Sequence, residues 1–60
     1  MSAVYNPEAD TIAEIERLEL EAREIRRRLL SARTEDDNRV LSKQIEELKT
    51  RVEFLQSRLP

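Results

Sequence analysis

The chain reads RTEDDNR from Arg33 to Arg39, and these seven residues include no apolar side chain. On both sides of this stretch, apolar residues recur with alternating gaps of three and four, which is the heptad pattern of a coiled-coil helix. They are Ile15, Leu18, Ala22, Ile25, Leu29 and Ala32 before it, and Leu41, Ile45, Leu48, Val52, Leu55 and Leu59 after it. The two heptad frames differ by two residues, so we expect two helices with a turn between them.

The distribution of charge supports the same division. Residues 8–21 carry six acids and one base, whereas residues 22–33 carry five bases and one acid. The pattern then repeats, with five acids and two bases in residues 34–47 and three bases and one acid in residues 48–60. Each half begins negative and ends positive, which is the arrangement that the dipole of a separate helix favours.

Capping residues indicate where the helices begin. Asn6 is suited to cap a first helix with Pro7 at its first position, and Thr11 offers a second start one turn later through a capping box with Glu14. Thr34, followed by three acids, is a strong start for the second helix. We therefore predict an extended arm over residues 1–7 and one domain over residues 8–60. Within it we place helix one at about 8–32, a turn at about 33–35 and helix two at about 35–59.

The predicted fold is all-α, an antiparallel hairpin of two helices of about 24 residues each. The register of the hairpin can be described by the sum of the numbers of two residues that face each other across the two helices. A sum of 70 gives apolar pairs throughout, and a sum near 67 does so as well. The sequence leaves this register open. In either register the acidic start of each helix lies beside the basic end of the other. Ile12 lies off the narrow seam but is assigned to the helix–helix interface with the heptad residues. The predicted interface comprises Ile12, Ile15, Leu18, Ala22, Ile25, Leu29, Leu41, Ile45, Leu48, Val52, Leu55 and Leu59.

A chain of 60 residues buries too little surface to be very stable alone, and without cysteine it has no disulfide to compensate. Self-association is the remaining route to a core. Several apolar residues off the seam are candidates for a partner or dimer surface: Leu20, Leu30, Val40, Phe54 and Tyr5. The simplest way to cover them is a twofold homodimer that forms a four-helix bundle.

Two other architectures compete with the hairpin. Because residues 33–39 contain no proline or glycine, the chain is also compatible with one long continuous helix in a dimeric coiled coil. High charge and few aromatic residues also allow a chain that folds only on a partner, although the regular heptads argue against it.

The composition excludes most catalytic chemistry. With no histidine and no cysteine, the chain cannot build a nucleophile–histidine relay or a thiolate or imidazole metal site. With no glycine, it has no glycine-rich loop to hold phosphate. We therefore expect a non-enzyme with no catalytic residues, no cofactor, no bound metal and no small-molecule substrate.

An arginine cluster is the one local feature that suggests another ligand. It consists of Arg23, Arg26, Arg27, Arg28 and Arg33. In a twofold bundle the cluster occurs twice, and paired arginine patches suit an anion or RNA, by analogy of architecture with small helical-hairpin dimers of the Rop type. Nucleic-acid binding is thus the alternative function, although the net charge of −2 gives no overall attraction. Membrane binding is disfavoured on the same ground.

The sequence as a whole predicts a small protein–protein interaction module, acting as an adaptor, oligomerisation domain or regulatory subunit. It would work by presenting a helical coiled-coil face to itself or to another protein. A cytoplasmic location is the expectation, because small secreted domains more often carry disulfides.

Overall fold

The computed structural model describes residues 6–60 and shows an all-α antiparallel helical hairpin. Its helices are α1 (Pro7–Leu30) and α2 (Glu35–Ser57). The predicted fold class is therefore confirmed, and the alternative of one continuous helix is wrong, because the chain leaves the helical conformation at residues 31–34. Residues 1–5, with the candidate Tyr5 and most of the predicted arm, lie outside the described residues.

The start of α1 is fixed by its cap. Asn6 has an extended backbone, and its Oδ1 accepts hydrogen bonds from the backbone N–H of Glu8 at 3.1 Å and of Ala9 at 3.2 Å. Pro7 occupies the first turn, where its missing N–H costs no hydrogen bond. Of the two starts that the sequence offered, the helix uses this one. Thr11 lies inside the helix and donates its hydroxyl to the carbonyl of Pro7 at 2.8 Å.

The end of α1 comes two residues earlier than the predicted residue 32. The backbone N–H groups of Ser31 and Ala32 donate to the carbonyls of Arg28 and Leu29 at 3.0 and 3.1 Å. These bonds span three residues instead of four, so the last turn tightens and the helix stops. The connection therefore occupies residues 31–34, not 33–35.

The second helix begins as expected from its cap and also ends early. Thr34 Oγ1 accepts a hydrogen bond from the N–H of Asp37 at 3.1 Å. At the other end, Arg58 N–H and Leu59 N–H bond three residues back at 3.1 Å, and α2 ends at Ser57 instead of residue 59. Pro60 follows this end and disfavours the α conformation at Leu59, the residue before it.

The core between the helices is small and unevenly shared. Ile15, Ala22 and Ile25 of α1 are buried, whereas in α2 only Leu55 is buried. The other residues of the two stripes are half-buried, and they comprise Leu18, Leu29, Ala32, Leu41, Ile45, Leu48, Val52 and Leu59. A single neighbouring helix thus leaves most of the apolar stripe of α2 in contact with solvent.

One ion pair joins the helices on one side of the seam. The Arg51 guanidinium lies 3.5 Å from Glu14 Oε1, and Arg17 approaches the same oxygen at 4.0 Å from within α1. The pair places the acidic half of α1 beside the second half of α2, as the charge pattern predicts. The numbers of Glu14 and Arg51 sum to 65, which is nearer to the register of 67 than to that of 70.

Candidate interaction surface

A groove runs between the helices on the side of the seam away from the Glu14–Arg51 ion pair. It has a volume of about 390 Å³. Its floor is apolar and consists of Ala22, Ile45, Leu48 and Val52. Its rim is polar and consists of Glu19, Arg23, Arg26, Lys49, Glu53 and Gln56. An apolar floor with a charged rim is the arrangement by which helical modules bind a further helix.

The seam residues that line the groove differ in size. Ala22 takes a heptad position of α1 with only a methyl group, and it is buried. The larger Ile45, Leu48 and Val52 of α2 line the same groove and are half-buried. Part of the solvent-exposed apolar surface of α2 therefore lies at the groove.

A second apolar feature lies on the opposite side of the hairpin. The Phe54 ring is half-exposed, and the guanidinium carbons of Arg51 and Arg58 lie 5.5 and 5.8 Å from its centroid, within range of a cation–π contact. Because Arg51 also pairs with Glu14, Phe54 is on the ion-pair side. Val40 is two heptads before Phe54 and takes nearly the same angular position on α2.

The apolar residues predicted to form a partner or dimer surface do not share one face. Leu20 lies on the outer face of α1, while Val40 and Phe54 belong to the ion-pair side of α2. Leu30 is 89% exposed at the end of α1. Ile12, which the sequence assigned to the helix–helix interface, is 45% exposed and so contributes less to that interface than its neighbour Ile15.

The five arginines are likewise divided. Successive helical residues are about 100° apart, so three in a row spread over about 200° of the helix surface and cannot form one flat patch. Arg23 and Arg26 lie on the rim of the groove, Arg27 and Arg28 are in the last turn of α1, and Arg33 is in the connection. Within residues 6–60, none of the five forms an ion pair within 4.0 Å, either with the acidic start of α2 or elsewhere.

A shallower depression of about 260 Å³ lies at the open end of the hairpin, between the first turn of α1 and the residues after α2. Among residues 6–60, no group of three or more acidic side chains is placed to hold a metal ion. Neither helix in this range is long and apolar enough to cross a membrane.

Comparisons with protein-family models, curated proteins and solved structures give no match to this chain. The heptad pattern includes every residue of the groove floor. It does not distinguish Ala22 from the other core residues, so it does not predict a groove. The sequence signal that could have predicted the groove is the small side chain of Ala22 at a seam position that faces larger residues.

Proposed function

We propose that this chain is a non-enzymatic protein–protein interaction module that binds partner helices through the open side of its hairpin. The observation that carries the proposal is the half-buried apolar stripe of α2 at the groove, where Ile45, Leu48 and Val52 lie beside Ala22. A further amphipathic helix laid along this face buries the stripe, and the charged rim sets its orientation. The absence of histidine, cysteine and glycine from the sequence supports a non-enzymatic role.

The module is proposed to act as an adaptor, oligomerisation domain or regulatory subunit, with a homodimeric four-helix bundle as its simplest assembled form. The cysteine-free composition supports a cytoplasmic location for it.

A matched pair of substitutions tests the proposal. Val52→Glu places a charge on the groove floor, whereas Thr50→Glu places the same charge on an exposed residue outside the groove. Proteins crosslinked to the wild-type chain in extracts of its source cells are expected to be recovered with Thr50→Glu and lost with Val52→Glu. Recovery of the same proteins with both variants, while circular dichroism shows both to be helical, contradicts the proposal.

Nucleic-acid binding is the second candidate, and one observation favours it. The five arginines are exposed and, within residues 6–60, make no ion pair that neutralises them. If they contact phosphates, binding of an RNA stem-loop weakens steeply with salt and is abolished by Arg26→Glu with Arg27→Glu. Binding that is insensitive to this pair of substitutions rules the candidate out.

A further inference from the structure

Helix α1 carries a second stripe on the side of the groove, separate from the seam that packs on α2. Its residues recur with gaps of four and three, the same heptad spacing as the seam, and Glu19, Arg23 and Arg26 among them line the groove rim. The stripe is exposed along its whole length. Its residues are Ile12, Glu16, Glu19, Arg23, Arg26 and Leu30.

The order of side chains in this stripe is self-complementary. The stripe is symmetric in spacing about position 21, and the acids lie on one side of that centre while the bases lie on the other. An antiparallel second copy of α1 centred there sets Glu19 against Arg23 and Glu16 against Arg26. It also sets Ile12 against Leu30, which brings together two apolar side chains that are 45% and 89% exposed in the single chain.

The corresponding stripe of α2 is also symmetric in its spacing, and its central pair is of opposite charge. It is symmetric about the point between residues 47 and 48, and its residues are Arg39, Ser42, Glu46, Lys49, Glu53 and Gln56. Antiparallel self-pairing sets Glu46 against Lys49, Ser42 against Glu53 and Arg39 against Gln56. Two copies of the α2 stripe can therefore pack together with no like charges facing each other.

The two centres lie at similar levels of the hairpin. The numbers of position 21 of α1 and of the midpoint between residues 47 and 48 of α2 sum to 68.5, between the sums of 67 and 70 that give apolar layers and 3.5 above the sum of 65 for the Glu14–Arg51 pair. A single twofold axis therefore serves both helices. It passes beside Ala22, whose small side chain allows close approach and whose groove is covered by the second copy.

We propose that this face, with its paired stripes and the Ala22 groove, binds a second copy of this chain in an antiparallel twofold dimer. The inference rests on the proposed function and specifies its first partner. Helix α1 of one copy packs on α1 of the other, and the two turns lie at opposite ends of the assembly. The charges available for this pairing are free within the hairpin, because Glu16, Glu19, Arg23 and Arg26 form no ion pair within residues 6–60.

Charge reversal tests the pairing. Glu16→Arg with Glu19→Arg makes the α1 stripe wholly basic, and Arg23→Glu with Arg26→Glu makes it wholly acidic. In sedimentation equilibrium, the wild-type chain is expected at twice its 7.1 kDa mass. Each reversed chain alone is expected to dimerise about tenfold more weakly or worse, because exposed charges that attracted now repel. An equimolar mixture of the two is expected to form a heterodimer.

Arg27→Glu with Arg28→Glu is the matched control, since it changes the net charge as much as the acidic variant does but acts outside the stripe. It is expected to dimerise like the wild-type chain and not to pair with the basic variant in preference to itself. Circular dichroism of each chain establishes that it is folded.

The outcomes separate this inference from the function on which it rests. A wild-type chain that stays monomeric overturns the dimer but leaves binding of a different protein at the groove intact. A dimer that neither reversal weakens overturns the assigned face. If the reversed chains dimerise weakly alone and also fail to form a heterodimer in the equimolar mixture, the antiparallel charge pairing is wrong.

Discussion

The Arg51 guanidinium lies 3.5 Å from Glu14 Oε1 and connects residues 37 positions apart in the sequence. The Arg51 side chain is about half-exposed, and Glu14 is shared with Arg17. Such a pair orients the helices more than it stabilises them. In a double-mutant cycle with Glu14→Gln and Arg51→Gln, we expect a coupling free energy of about 0.2 to 1 kcal/mol by urea unfolding, decreasing with added salt. A coupling of several kcal/mol would contradict this description.

The stability of the hairpin depends on Leu55, which is 3% exposed and is the one buried residue of α2. Truncation of a buried leucine to alanine costs about 2 to 5 kcal/mol, and a chain of this size rarely has more than about 3 to 5 kcal/mol in total. Leu55→Ala is therefore expected to abolish cooperative thermal unfolding measured by circular dichroism. Leu20→Ala is the matched control, because the same atoms are removed from an exposed position, and its melting temperature should stay close to that of the wild-type chain.

The cap at Thr34 controls where the second helix begins. Its hydroxyl accepts the N–H of Asp37 at 3.1 Å, and loss of such a cap costs about 1 kcal/mol. We expect Thr34→Ala to lower the free energy of unfolding by about this amount and Thr34→Ser to leave it nearly unchanged. Equal effects of the two substitutions in urea unfolding would show that the hydroxyl does not act as a cap.

Disulfide crosslinking tests the orientation of the proposed dimer independently of charge. The natural chain has no cysteine, so each introduced thiol is unique. A chain with Ile12→Cys, mixed with a chain with Leu30→Cys under mild oxidation, is expected to form a mixed disulfide faster than either chain forms a disulfide with itself. If the two copies instead packed with their turns at the same end, Ile12 and Leu30 would lie far apart and the mixed species would not be favoured.

The sequence predicts the hairpin well because the relevant signals are local. The caps at Asn6 and Thr34 and the apolar gap at residues 33–39 each act over a few residues. The end of α1 was misplaced because Ala32 continues the heptad spacing, whereas the hydrogen bonds of Ser31 and Ala32 close the helix before it. Neither the tightened turn nor its position is encoded by a glycine or a proline.

The interaction surface was predicted less completely, for a geometric reason. Apolar periodicity assigns residues to a seam but does not say which side of the seam stays open. In the structure, the groove at Ala22 marks one side of the seam and the ion pair at Glu14 marks the other. Phe54 lies on the ion-pair side, whereas Leu30 does not. The arginines were grouped by sequence proximity, although consecutive residues on a helix diverge in direction.

The connection between the helices has a consequence for how the chain exchanges partners. Residues 31–34 contain neither glycine nor proline, and within residues 6–60 no backbone φ is positive. The local backbone therefore costs little to straighten, and the hairpin is kept closed by contacts between helices, Leu55 foremost. A straightened chain spans about 76 Å over residues 8–58 at 1.5 Å per residue, and its second helix can pack on the first helix of another molecule. If the chain dimerises as proposed, we expect domain swapping through this connection to make the dimer depend on how it was prepared: chains concentrated while partly unfolded become interlocked and separate slowly.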